Sequence, residues 1–271
     1  MVIIDPQRCI GCGLCATDCF SRNLKLADGK MTVKRACMEC GHCVALCPVR
    51  AVTISDDPDE PLYDYDPKTM TLDPDNLLRF IQFRRSCRDF RPQPVEREKW
   101  EMMLQAGRFT ATGSNLQDVS YYIVQDRLEE FKPLVWEGLH SITPAAARGE
   151  LADIDPTAQT YAHMWQRCYE KYRQNPKEDA MFFNAPAVLV IASKLAHHSE
   201  LVASKVELMA YAQSLGCLYT GFVRRGITYG SQARAFLGLT GGENITCMLM
   251  GYPTHRYLRT VPRKAVQAHW F

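Results

Sequence analysis

No apolar run in this chain of 271 residues approaches the roughly 20 residues that a membrane-spanning helix needs. The longest such stretch, around residues 181–192, is broken by Asn184 and Pro186. Neither sign of charge dominates: 32 Lys and Arg stand against 30 Asp and Glu, for a net charge of +2. That balance gives no basic surface for nucleic acid to select. The chain reaches Cys9 too soon to leave room for a signal peptide ahead of it, so the expected compartment is the cytoplasm. A dinucleotide fingerprint is also missing. Gly11-Cys12-Gly13-Leu14-Cys15-Ala16 has the G-x-G-x-x-A form, but it lies inside a cysteine cluster instead of opening a helix of a βαβ unit.

Cysteine is what the chain has in abundance, with 12 residues. Eight fall into two copies of one spacing: Cys9, Cys12, Cys15 and Cys19, then Cys37, Cys40, Cys43 and Cys47, followed by Pro48. This is the bacterial ferredoxin run for two 4Fe-4S clusters, in which the fourth cysteine of each run ligates the other cluster. Cys9, Cys12, Cys15 and Cys47 are therefore expected at the first cluster, and Cys37, Cys40, Cys43 and Cys19 at the second. Gly11, Gly13 and Gly41 allow the tight loops that bring thiolates together. Phe20 replaces the proline of the first run, which costs no ligand. A tetrahedral zinc site suits paired CxxC motifs better than repeated triplets, and disulfides would need an oxidising compartment. Clusters this rich in cysteine favour a reducing, anaerobic cell.

Residues 1–56 repeat with a period of 28, Cys9 to Cys37, and each half ends in a β-like segment, residues 23–27 and 51–55. Residues 1–57 are expected to form a small ferredoxin-like domain stapled by its clusters. Residues 58–73 would be an irregular linker, opening in the Asp- and Pro-rich stretch from Asp56, and 74–271 a larger domain. Asp73 and Pro74 signal a helix start, with Leu77, Leu78, Phe80 and Ile81 at helical spacing. Helices are expected over 96–107, 126–140, 157–173, 200–215 and 231–237, and strands over 119–124, 187–191 and 246–250. Mixed order without a βαβ rhythm makes the fold class α+β.

Arg84, Arg85, Ser86 and Arg88 form a cluster suited to phosphate, or else a solvated basic turn. A polar loop holds Asn115 and Gln117, a strand opens at Asn184-Ala185-Pro186, and Gly251-Tyr252-Pro253 precedes Pro262-Arg263-Lys264. In this order the pieces, from about Leu77 to Lys264, resemble the nitroreductase family of FMN enzymes. With the front domain, the chain resembles the ferredoxin-fused members of that family. The resemblance implies that Arg84, Arg88, Ser86 and Arg263 hold the FMN phosphate, with Lys264 an alternative to Arg263 within one residue of register. It implies that Asn115 and Gln117 face the flavin and substrate edge, and that the backbone at Thr220 and Gly221 lies against flavin N5. Asp118-Val119 stands where many relatives have Pro-Trp, which leaves acceptor preference open.

The function this implies is an oxidoreductase fed by a low-potential donor, ferredoxin ahead of NAD(P)H, passing electrons through two clusters to FMN. Acceptors would be nitroaromatics, quinones or activated alkenes. Alternatives are an electron-transfer relay without small-molecule turnover, or dehalogenation on the same fold. A homodimer with FMN at its interface is implied, and no catalytic side chain is assigned. Cys87, Cys168, Cys217 and Cys247 are expected to be passive, with nearby arginines lowering the Cys87 pKa. His197-His198 is expected to be a solvated turn, and Tyr161, Trp165, Tyr169 and Tyr172 a packing face.

Overall fold

The computed structural model describes residues 2–54 and 61–271, so residues 56–60 of the Asp- and Pro-rich stretch lie outside it. The chain separates into two compact units. One is Met1–Thr71 with Thr112–Gln117, and the other is Leu72–Ala111 with Asp118–Phe271.

The smaller unit contains β1 (Val2–Ile4), α1 (Leu14–Thr17), β2 (Leu24–Ala27), β3 (Lys30–Val33), α2 (His42–Leu46), β4 (Val52–Ile54) and α3 (Pro67–Met70). Strand β1 pairs antiparallel with β4, and β2 with β3. The 28-residue repeat is visible in the backbone. Gly13 and Gly41 cap α1 and α2 with φ of 79° and 80°. Gly11 and Glu39 form a second left-handed pair (φ 65° and 55°), and Arg22 and Arg50 a third (49° and 50°). Position 11 must be glycine, since a Cβ there would lie 2.3 Å from the Gly29 carbonyl oxygen. Glu39 adopts the same conformation with a side chain, at about 1 kcal/mol of strain. The core is small: Cys9, Cys15, Leu24, Met31 and Ala51 are its buried members. Two of the five are cysteines. Helix α3 places one turn inside the expected irregular linker because Asp66 caps it and Pro67 starts it.

The larger unit runs α4 (Pro74–Phe83), α5 (Arg97–Arg108), β5 (Ser120–Val124), α6 (Leu128–Ala147), α7 (Ala158–Gln174), β6 (Ala187–Ser193), α8 (Ala196–Ala212), β7 (Gly216–Tyr219), α9 (Gly221–Tyr229), α10 (Ser231–Leu237) and β8 (Asn244–Gly251). Its sheet has the order β5-β6-β8-β7, antiparallel throughout. All seven residues of β6 are buried, and its side chains alternate between two cores. Val188, Val190 and Ala192 join Phe131, Val135 and Trp136 of α6 and Trp165 of α7. Ala187, Leu189 and Ile191 join Trp100 and Met103 of α5 and Val202 and Val206 of α8. Helices therefore cover both faces of an antiparallel sheet, which explains the unbroken apolar run in β6.

Four elements depart from the sequence expectation. Helix α6 continues past His140 and through Pro144 to Ala147, while β7 and α9 occupy a region to which the sequence assigns no helix or strand. Helix α8 begins at Ala196, so His197 and His198 lie in a helix and not in a solvated turn. His198 is fully buried, paired through Nδ1 with Asp118 Oδ1 at 2.6 Å.

Candidate functional site

Within the small unit the eight cysteines divide between two cavities. Cys9, Cys12, Cys15 and Cys47 line one, together with Pro48. Cys19, Cys37, Cys40 and Cys43 line the other, which Cys15 also touches. The division follows the crossed ligand sets, so four thiolates converge on each space. Backbone amides already point at the sulfurs. The N–H groups of Asn23 and Ala51 donate to Cys19 Sγ and Cys47 Sγ, each at 3.2 Å and each from four residues downstream. Met31 N–H donates to Cys9 Sγ at 3.5 Å and Glu39 N–H to Cys37 Sγ at 3.4 Å. In the protein alone, burial pushes the Cys43 thiol up to about 11, and the Met31 N–H lowers that of Cys9. Coordination to iron deprotonates such thiols outright. Hydrogen bonds to sulfur are also one of the levers on cluster potential. His42, beside Cys43, is exposed and pairs with Asp18 at 2.7 Å.

In the larger unit, Arg84 ends α4 and donates through Nη1 to Glu207 Oε1 at 2.7 Å. Burial raises the Glu207 pKa against the pull of Arg84 and a hydrogen bond from the Cys217 thiol. Ser86 bridges to Cys217 of β7, and Cys87 N–H donates to Cys217 O at 2.9 Å. Thr220 and Gly221 follow three and four residues beyond Cys217, about 10 Å along the chain at strand rise. Thr220 caps α9, its Oγ1 accepting from Val223 N–H, and its own N–H donates to Cys247 O. The fold thus brings Arg84, Ser86, Thr220 and Gly221 to one region around β7. Arg85 lines an open groove of ≈ 860 Å³ with Arg91 and Arg256, and Arg88 is exposed. Arg263 and Lys264 are exposed in the irregular tail after β8. Asn115 and Gln117 belong to the small unit.

Burial, not the neighbouring arginines, dominates the cysteines here. It raises the Cys87 pKa, contrary to the expected lowering, and lifts Cys217 further. Glu207 carries no sequence signal because it lies 123 positions from Arg84 on a helix whose polar and apolar residues are mixed around all sides. Asp118 was read only as a departure from Pro-Trp. Burial alone would raise its pKa, but the Lys194 N–H and His198 outweigh that and leave it below the usual range.

Residues 81–252 match the model of the nitroreductase family, which covers more than half of the chain. The chain belongs to the nitroreductase family. Residues 1–56 of this nitroreductase match the 4Fe-4S dicluster domain, so the protein is an oxidoreductase with an iron–sulfur domain in front. A solved nitroreductase with bound FMN from Bacteroides fragilis is 16% identical, at a TM-score of 0.51, covering 71% of this chain and 95% of that one. It shares the fold. One with bound FMN from Desulfitobacterium hafniense is 18% identical at a TM-score of 0.48, covering 71% and 97%. No curated protein matches the sequence. Among the described residues, no helix of this nitroreductase is long and apolar enough to cross a membrane.

Proposed function

We propose that this nitroreductase takes electrons one at a time from a ferredoxin-class donor and carries them through two 4Fe-4S clusters to FMN. From there they pass in pairs to a nitroaromatic, quinone or activated-alkene acceptor. The observation that carries this reading is the division of eight cysteines into two four-cysteine cavities, in a chain whose remaining part is a nitroreductase. A nitroreductase supplied directly by NAD(P)H would have no use for such a front unit. We take 1–57 as the cluster domain, 58–73 as the linker and 74–271 as the flavin domain, working in a reducing cytoplasm.

The residues present suit FMN. A guanidinium carries five donors, and Arg84 spends one on Glu207, leaving others for phosphate oxygens beside Ser86. Arg85, Arg88, and Arg263 or Lys264 add further positive charge. At Gly221 an added Cβ would meet only the tip of Arg225 within 4 Å, so a flat ring can approach the backbone. Bound FMN supplies the exchange between single electrons and hydride transfer. Gln117 would face the ring edge, and the Thr220 cap holds the turn in place.

A homodimer completes this reading. Helix α4 is capped by Asp73, yet buries none of its residues, and Leu77, Leu78 and Ile81 are exposed along it. Such a face suits a second copy of the chain.

Anaerobically purified protein should contain about eight irons and one flavin per chain. Its flavin should bleach faster with reduced ferredoxin than with NADH or NADPH. Four irons, or faster reduction by a nicotinamide, would overturn the proposal.

A further inference from the structure

Asn115 has an unexpected partner. Its amide Nδ2 donates to the carbonyl oxygens of Met38 at 3.0 Å and Glu39 at 3.1 Å, inside the loop between Cys37 and Cys40. Two carbonyl acceptors fix which end of the amide faces the loop, since only the NH2 end can serve both. Glu39 is the non-glycine residue held at φ 55°, and its own N–H caps Cys37 Sγ. Strain of this kind persists where surrounding contacts over-determine it, and the Asn115 amide is such a contact.

The internal repeat makes the contact specific to one cluster. Position 11, equivalent to Glu39, lies against the carbonyl of Gly29 in the turn between β2 and β3. The same spot on the two loops is thus met by a local turn in the first half and by Asn115 in the second. The Asn115 loop is itself held in shape. Ser114, Asn115 and Gln117 all have positive φ (52°, 55° and 46°), and Gln117 N–H donates to Thr112 Oγ1 at 3.0 Å.

We propose that Asn115 is the positioning residue of the second cluster. By clamping the Met38 and Glu39 carbonyls, it fixes the loop that bears Cys37 and Cys40. It thereby sets the potential of the cluster held by Cys37, Cys40, Cys43 and Cys19 apart from that of the first. This rests on the cluster-to-FMN current proposed above. In each passage one electron leaves the reduced clusters and one reaches the flavin. Two passages, with protons from water, complete the flavin's reduction, and a reduced iron–sulfur protein loses one electron for each.

The test compares wild-type holoprotein with Asn115→Gly and Asn115→Asp. Both tolerate positive φ, and both remove the amide donors; only the aspartate adds charge. Redox titration followed by EPR reads the two clusters, with Cys40→Ser marking the second one's signal. Stopped-flow mixing with photoreduced 2[4Fe-4S] ferredoxin reads the rate of flavin bleaching. At unchanged iron content, and with rates taken per bound flavin, Asn115→Gly should shift the potential of the second cluster alone, which a role of Asn115 at the flavin would not do. It should also slow flavin reduction by about tenfold, the population change that losing two hydrogen bonds permits. A shift in both clusters or in neither, or an unchanged rate, overturns the inference. If wild-type protein lacks eight irons or flavin, or its clusters do not reduce its flavin, the proposed function fails first, and the two failures are distinguishable.

Discussion

Arg225 holds Asp155 with two hydrogen bonds, one from Nε to Oδ2 and one from Nη2 to Oδ1 at 2.8 Å, while Nη2 also reaches Thr157 Oγ1 at 2.7 Å. Both side chains are about seven-eighths buried. The guanidinium therefore holds the Asp155 carboxyl at about 2, below its ordinary 3.8. A carboxyl depressed on folding stabilises the protein above its unfolded pKa and loses that contribution as pH falls toward its folded one. Asp155→Asn should cost about 2 kcal/mol at neutral pH, and the gap should close between about pH 4 and pH 2. Urea unfolding followed by tryptophan fluorescence reads this, since Arg225 also lies 5.3 Å from the Trp165 ring. A second test concerns the phosphate site. Arg84→Ala combined with Arg263→Ala should release FMN while keeping the absorbance of the clusters. Retained flavin would place the phosphate elsewhere, with the groove of Arg85, Arg91 and Arg256 next to be examined.

Helices α6 and α9 approach as closely as two backbones can. A Cβ on Gly138 would lie 2.0 Å from the Gly226 carbonyl oxygen, and one on Gly226 would lie 2.3 Å from the Val135 carbonyl oxygen. Neither neighbour is a flexible side chain, so the helices would have to part. Gly138→Ala should destabilise the larger unit by about 3 kcal/mol and lower its unfolding midpoint in urea. An unchanged midpoint would mean that the helices separate freely. The long elements of this unit were legible in the sequence: β6 as an unbroken apolar run, α7 by its Tyr and Trp spacing, and α4 by Asp73-Pro74. Strand β7 was not, because four residues at a sheet edge carry too little pattern. Helix α9 was obscured by glycines that lower intrinsic helix propensity yet allow the close crossing. The end of α6 was misplaced because Pro144 is a stop signal locally, while packing of Thr143 and Ala146 carries the helix past it.

At the scale of the whole molecule, the exposed face of α4 predicts assembly. Leu78→Lys with Ile81→Lys should halve the sedimenting mass and weaken flavin retention. The capped helix should remain folded, because neither residue is buried in the single chain. A double variant that sediments as wild type would remove α4 from the interface. Eight irons per chain should persist through that change, since all eight cysteines belong to the small unit.

The cysteine spacing by itself determined the two cluster loops, because a cubane takes three ligands from one short loop and a local spacing is enough to specify it. The order of the motifs likewise carried the family, as a pattern read along the chain. Only the tertiary structure decided which groups meet across long separations: Asn115 on the carbonyls of the second loop, Glu207 on Arg84, and Asp118 on a buried His198. These pairings satisfy donors and charges that burial would otherwise leave unpaired. Which residues are buried together is settled by the packing of whole elements, not by neighbours in sequence.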